Sequence, residues 1–153
     1  MTNTEIQTAK LPRRLFAMLY DSLIVIAIIM LGSALAIALR VWISGADAAA
    51  GDPQTAAHGI VFQLWLFFLI AGFFVLFWRW NGQTLGMQAW RLQVRNIDGQ
   101  RLTLKQCLLR LLGGLVSWVC LGIGYWVILF RSDRASWSDS WSSTQCVVLP
   151  KTK

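Results

Sequence analysis

From Ser22 to Leu39 the chain carries no charged side chain for 18 residues. At about 1.5 Å per residue such a run makes about 27 Å of helix, close to the ~30 Å hydrocarbon thickness of a bilayer. The flanks suit a crossing. Lys10, Arg13 and Arg14 precede the run, and Arg40 and Trp42 follow it, where interfacial cations and aromatics belong. The start resembles a signal peptide, with Ala34-Leu35-Ala36 as a cleavage site. Against this, the apolar run exceeds the ~7–15 residues of such a segment, and Asp21 interrupts its beginning. It is read as a retained anchor. Composition agrees: 14% of residues are charged, against about 25% in soluble domains. That is too little polar surface for a soluble globule, so the chain is read as an integral membrane protein.

A second charge-free run, Ile60–Trp78, ends at Arg79. Residues 44–59, between the runs, hold Asp47 and Asp52 as full charges and no Lys or Arg, so they form the expected outer loop. Residues 79–110 hold Arg79, Arg91, Arg95, Arg101, Lys105 and Arg110 against Asp98, the pattern of a cytoplasmic loop. Within it Trp90, Leu92 and Val94 alternate with Arg91, Gln93 and Arg95, the period of a strand. Asp98-Gly99 signals a turn, with Arg101-Leu102-Thr103 as the return strand. Thr103-Leu104-Lys105-Gln106 has capping-box spacing and opens the next helix.

The third apolar run, Leu111–Phe130, contains Gly122-Ile123-Gly124, which fits either a packing notch or a break. The tail carries Arg131, Arg134, Lys151 and Lys153 against Asp133 and Asp139, and Thr144–Leu149 has the make-up of a strand that could join the 90–103 hairpin. Both features put the tail on the cytoplasmic side, which three full crossings would forbid. The expected fold is therefore mainly α and integral to the membrane. Three apolar helical segments span about 15–43, 60–80 and 104–130, the third bent or re-entrant, and a small cytoplasmic β-hairpin is joined by a C-terminal strand. Residues 1–10 and 150–153 are expected as tails around a single membrane domain, 11–149. The expected location is the cell membrane, multi-pass, with a cytoplasmic N-terminus.

Cys107, Cys120 and Cys146 are odd in number and widely spaced, and His58 stands alone. This gives no disulfide framework and no metal-ligand pattern, so the cysteines are read as packing residues and no metal or cofactor is expected. The net charge of +7 flanks apolar spans, which favours anionic headgroups of the lipid bilayer as partner over nucleic acid. A homo-oligomer or another membrane protein is the further partner expected.

Asp21 is the unusual residue. An unpaired acid within a span costs about 2.5–3.5 kcal/mol, less near the interface. Arg14 lies seven residues earlier, about 10.5 Å along a helix axis, too far for a direct ion pair. Either Asp21 is hydrated among the headgroups, or it finds a partner in another segment. Asp139 has two readings as well. Ser136 and Asp139 have capping-box spacing, or Asp139 is a second acid near Arg14.

With these residues placed, the chain resembles the RDD family of membrane proteins, named for one Arg and two Asp. The resemblance rests on Arg13-Arg14-Leu15-Phe16-Ala17-Met18-Leu19-Tyr20-Asp21, on Asn81-Gly82-Gln83-Thr84-Leu85-Gly86 followed by Leu92-Gln93-Val94, and on Asp139 with Thr144 and Val147-Val148. Two positions depart from the usual pattern: Met87 stands where a Lys is common, and Ser138 where a His often precedes the Asp. The resemblance implies a membrane domain with a polar site at Arg14, Asp21 and Asp139, and transport of an ion or small ligand as its suggested role. The alternative is a non-catalytic membrane binding or scaffold module whose Arg/Asp/Asp cluster is structural. An enzyme is not expected. Tyr20-Asp21 matches one half of an intramembrane aspartyl protease, but Gly122-Ile123-Gly124 is followed by Tyr125, and Asp139 lies beyond the apolar run.

Overall fold

The structure, a computed structural model, describes residues 8–45, 59–98, 100–131 and 135–150. Residues 1–7 of the expected N-terminal tail (1–10), most of the expected outer loop (46–58), Gly99, 132–134 and 151–153 lie outside the described residues. Helix α1 is Leu11–Ser44 and α2 is Ile60–Asn81. Pro12 sits in the first turn of α1, where its missing N–H costs nothing. By length and composition both helices can cross a membrane. Apart from Gln63, Arg79 and Asn81, α2 is apolar along its length, and among the described residues none of its side chains is fully buried. Such a surface is covered by lipid or by another chain.

The described residues divide into two compact units. One is Ser22–Phe73. In it the Trp65 indole donates to the Gly32 carbonyl at 3.2 Å, and the Leu69 side chain fills the space beside Gly32. The other unit takes the described residues through Asp21 and from Phe74 onward. It holds the start of α1, the end of α2, and every element that follows: α3 (Leu85–Ala89), β1 (Leu92–Asn96), α4 (Leu104–Val119), α5 (Ile123–Trp126) with a 3-10 turn (Val127–Leu129), α6 (Trp137–Ser142) and β2 (Thr144–Val148).

The expected capping box opens α4. Thr103 Oγ1 accepts from Gln106 N, and Gln106 Oε1 accepts from Thr103 N. The third segment is broken. Leu104–Val119 and Ile123–Leu129 meet at 108°, so together they make one broken span or a re-entrant loop. Leu121 and Gly122 have φ of 53° and 80°, a left-handed pair that ends α4. Gly124 supplies the notch as well, since a Cβ there would lie 2.6 Å from Ser117 Oγ. Both readings of Gly122-Ile123-Gly124 therefore hold.

One expectation needs correction. Residues 101–103 form no return strand, so there is no hairpin in 90–103. The C-terminal strand takes that role. β1 pairs antiparallel with β2 in the register Leu92↔Val148 to Asn96↔Thr144. The other edge of β1 is already occupied: Val94 N donates to Gly82 O at 2.7 Å, and Gln83 Nε2 to Leu92 O at 2.8 Å. The strand also starts later than expected, because Trp90 caps α3 and Arg91 turns the chain at a φ of 54°. Beyond β2 the N-terminus adds a bridge, Thr8↔Val147, with Ala9 N donating to Cys146 O at 2.9 Å. Ala9, Ala17, Met87, Leu92, Val94, Leu102, Cys107 and Cys146 form the core of this unit. Cys107 and Cys146 are buried free thiols within it.

Candidate functional site

Asp139 is fixed first by its own helix. Ser136 Oγ accepts from Asp139 N at 3.3 Å, and Asp139 Oδ2 accepts from Ser136 N at 3.1 Å. This closed box stabilises α6, which is only six residues long. The same carboxylate meets two cations. Arg14, in the second turn of α1, pairs with Oδ2, and Arg110 of α4 pairs with Oδ1 at 2.5 Å. Arg110 also donates to Thr144 Oγ1 at 2.8 Å, and its guanidinium carbon lies 5.5 Å from the centre of the Trp78 ring. Arg14 Nε donates to Ala9 O at 3.1 Å. One buried carboxylate thus ties α1, α4 and α6 together, and through Arg110 it reaches β2. Burial alone would raise its pKa. The guanidinium groups of Arg110 and Arg14 outweigh this, with help from the Ser136 N–H, and hold it at about 2.

Both sequence readings of Asp139 are met at once, as a cap and as the partner of Arg14. Arg110 was not singled out by sequence. Its signal was the stripe Cys107, Arg110, Gly113, Ser117, which recurs at helical spacing and is the buried face of α4. A cation on a stripe of small residues is a candidate for burial against an acid.

Asp21 has a different setting. Thr84 Oγ1 donates to its Oδ2 at 2.5 Å, and Gly86 N donates to its Oδ1 at 2.9 Å. Thr84 is the N-cap of α3 and accepts from Met87 N at 3.3 Å, so the cap also orients the hydroxyl. Gly86 is required by the approach. A Cβ there would lie 2.8 Å from Asp21 Cγ and collide with the Ala17 carbonyl oxygen. Aromatic packing supports the same join: Phe16 stacks on Trp90 with centroids 4.8 Å apart, and Tyr20 meets Trp90 edge-on at 6.4 Å.

The structure therefore brings Arg14 and Asp139 together, adds Arg110, and gives Asp21 its own partners, a hydroxyl and a backbone amide. Both acids are buried, with 6% exposure at Asp21 and 1% at Asp139. Met87 and Ser138, the two departures from the family pattern, are buried as well. Met87 is part of the core, and Ser138 Oγ lies 2.9 Å from Ser136 Oγ. Among the described residues no group of three or more His, Cys, Asp or Glu could hold a metal ion.

A family model described as RDD family matches residues 8–143, most of the chain and both acids with their direct hydrogen-bond partners. No match was found among the curated proteins or among the solved structures.

Proposed function

The chain belongs to the RDD family, and on that premise we propose that it passes a proton or small cation across the cell membrane, with Asp21 as the group that takes it. One observation carries this. Asp21 lies on an apolar helix, is buried, and receives its hydrogen bonds from Thr84 and Gly86, neither of which brings charge. A carboxylate so held is balanced by a proton or a cation more cheaply than by staying bare. Asp139 is the opposite case. Two guanidinium groups and its cap occupy it, which favours a clamp that holds the fold over a station on a path. The clamp also supports a non-catalytic protein: an aspartyl dyad needs two acids that share a proton, and Asp139 is instead held ionised by Arg110 and Arg14.

The same contacts support a topology. Thr8, β1 and β2 join one sheet layer, at the start of α1 and after the end of α2. If α1 and α2 each cross once, the bent third segment begins and ends on that side. The excess of cations in 79–110 favours the cytoplasm as that side. Copies of the chain, or another membrane protein, would cover the bare faces of α2.

The test is flux in proteoliposomes. Asp21→Asn should reconstitute like wild type and lose proton and monovalent-cation flux. Normal flux from a folded Asp21→Asn protein would overturn transport at this site and leave the binding-module alternative.

A further inference from the structure

We propose that the cleft between the end of α2 and the outer edge of β1 binds a phosphate-bearing anion, delivered as a lipid headgroup or as a soluble phosphoester. The cleft has a volume of 460 Å³, within the usual ~300–1,000 Å³ of ligand pockets. Arg79, Arg95 and Arg101 line it, and no Asp or Glu does. Asp98, on the turn after β1, is exposed and outside the lining.

Two of these arginines are set in place by neutral acceptors. Arg79 Nη1 donates to Leu102 O at 2.9 Å, and Arg95 Nε donates to Gln93 Oε1 at 2.6 Å. Gln93 is itself held, because its Nε2 donates to Asn81 O at 2.9 Å. A carbonyl or amide oxygen orients a guanidinium without cancelling its charge. The remaining N–H donors of each fork stay available, in the planar geometry that suits phosphate oxygens. A merely solvated basic surface would not carry this anchoring.

Position narrows the source. Arg79 is the first charge after the apolar run of α2, and Trp80 beside it is 78% exposed. This is headgroup depth for a helix that crosses. Basic pockets at that depth bind anionic headgroups. The cleft shares no residue with the hydrogen-bond set of Asp21, so the two proposals stand or fall separately.

Native mass spectrometry of the detergent-solubilised full chain tests it, with phosphatidylglycerol, phosphatidylcholine and glycerol 3-phosphate as probes. One saturable phosphatidylglycerol site is expected, with much weaker binding of phosphatidylcholine. Arg95→Gln with Arg101→Gln should weaken it about tenfold or more, since both changes remove a charge-assisted contact. Arg101→Gln alone, at an exposed position, guards against misfolding and should still weaken binding severalfold. Arg91→Gln, outside the cleft, should bind like wild type. Displacement by millimolar glycerol 3-phosphate would assign the cleft to soluble phosphoesters; persistence of the lipid would assign it to headgroups. Equal binding of both lipids, or a double variant that binds like wild type, would overturn the proposal.

Discussion

Arg110 and Asp139, 29 positions apart in the chain, meet at 2.5 Å in a buried setting that Arg14 completes from the other side. Removing one member of such a set leaves charge buried and unpaired, at about 3–5 kcal/mol. Asp139→Asn leaves two guanidinium groups facing a neutral amide and should destabilise the fold by a margin of that size, seen as a lower unfolding midpoint in detergent. Thermal scans followed by size-exclusion chromatography measure it. A variant as stable as wild type would show that the contacts hold nothing.

Gly86→Ala tests the other acid by geometry. The added methyl would press on the Ala17 carbonyl and on the Asp21 carboxyl group. Overpacking of this kind costs about 1–3 kcal/mol. The variant should be less stable than wild type and lose flux together with Asp21→Asn, whereas Asp21→Asn itself should stay close to wild-type stability. Full flux in a stable Gly86→Ala protein would count against a tight seat for Asp21.

The acid limb of stability should belong to Asp139. Its carboxyl group sits at about 2 in the fold against an ordinary value of 3.8. A value lowered by folding contributes stability that is whole above the unfolded value and lost as pH falls through the folded one. At about 1.4 kcal/mol per unit this is about 2 kcal/mol. Unfolding midpoints should be flat from about pH 7 to 5 and fall between about pH 4 and 2. In Asp139→Asn that acid limb should be shallower, and an unchanged limb would assign it to other carboxyls.

Topology can be read by thiol labelling. In a background with the native cysteines replaced by serine, Gln100→Cys and Pro150→Cys should react from one side of the membrane, and Trp42→Cys from the other. Labelling of positions 100 and 150 from opposite sides would require a third full crossing.

Long-range features with a local cause were legible in the sequence. The two spans follow from charge-free length, and both capping boxes from residue spacing. The break at Gly122 was visible because few residues other than glycine tolerate a positive φ cheaply. The return strand failed for the converse reason. A turn signal at 98–99 says where a chain can reverse, but the partner of β1 is set by which edges are vacant, and Gly82 and Gln83 had already taken one. In the sequence Arg110 reads as one cation of a basic loop. Its burial depends on the Asp139 carboxylate arriving from a helix that has not yet begun at that point of the chain. Thr84 belongs to the Asn81–Gly86 motif, but nothing local says that its hydroxyl faces Asp21.

The order of synthesis gives the β1–β2 pairing a further meaning. β2 is made after every helix of the fold, yet it supplies the partner of β1 and the Val147 bridge to Thr8. Until it emerges, Arg14 and Arg110 have no Asp139 to meet, and one edge of β1 stays open. The apolar helices can enter the bilayer early, one by one, while the sheet layer waits for β2. Closure of that layer therefore cannot be complete until β2 has been made, and a chain stalled before residue 139 would lack the carboxylate that Arg14 and Arg110 meet in the fold.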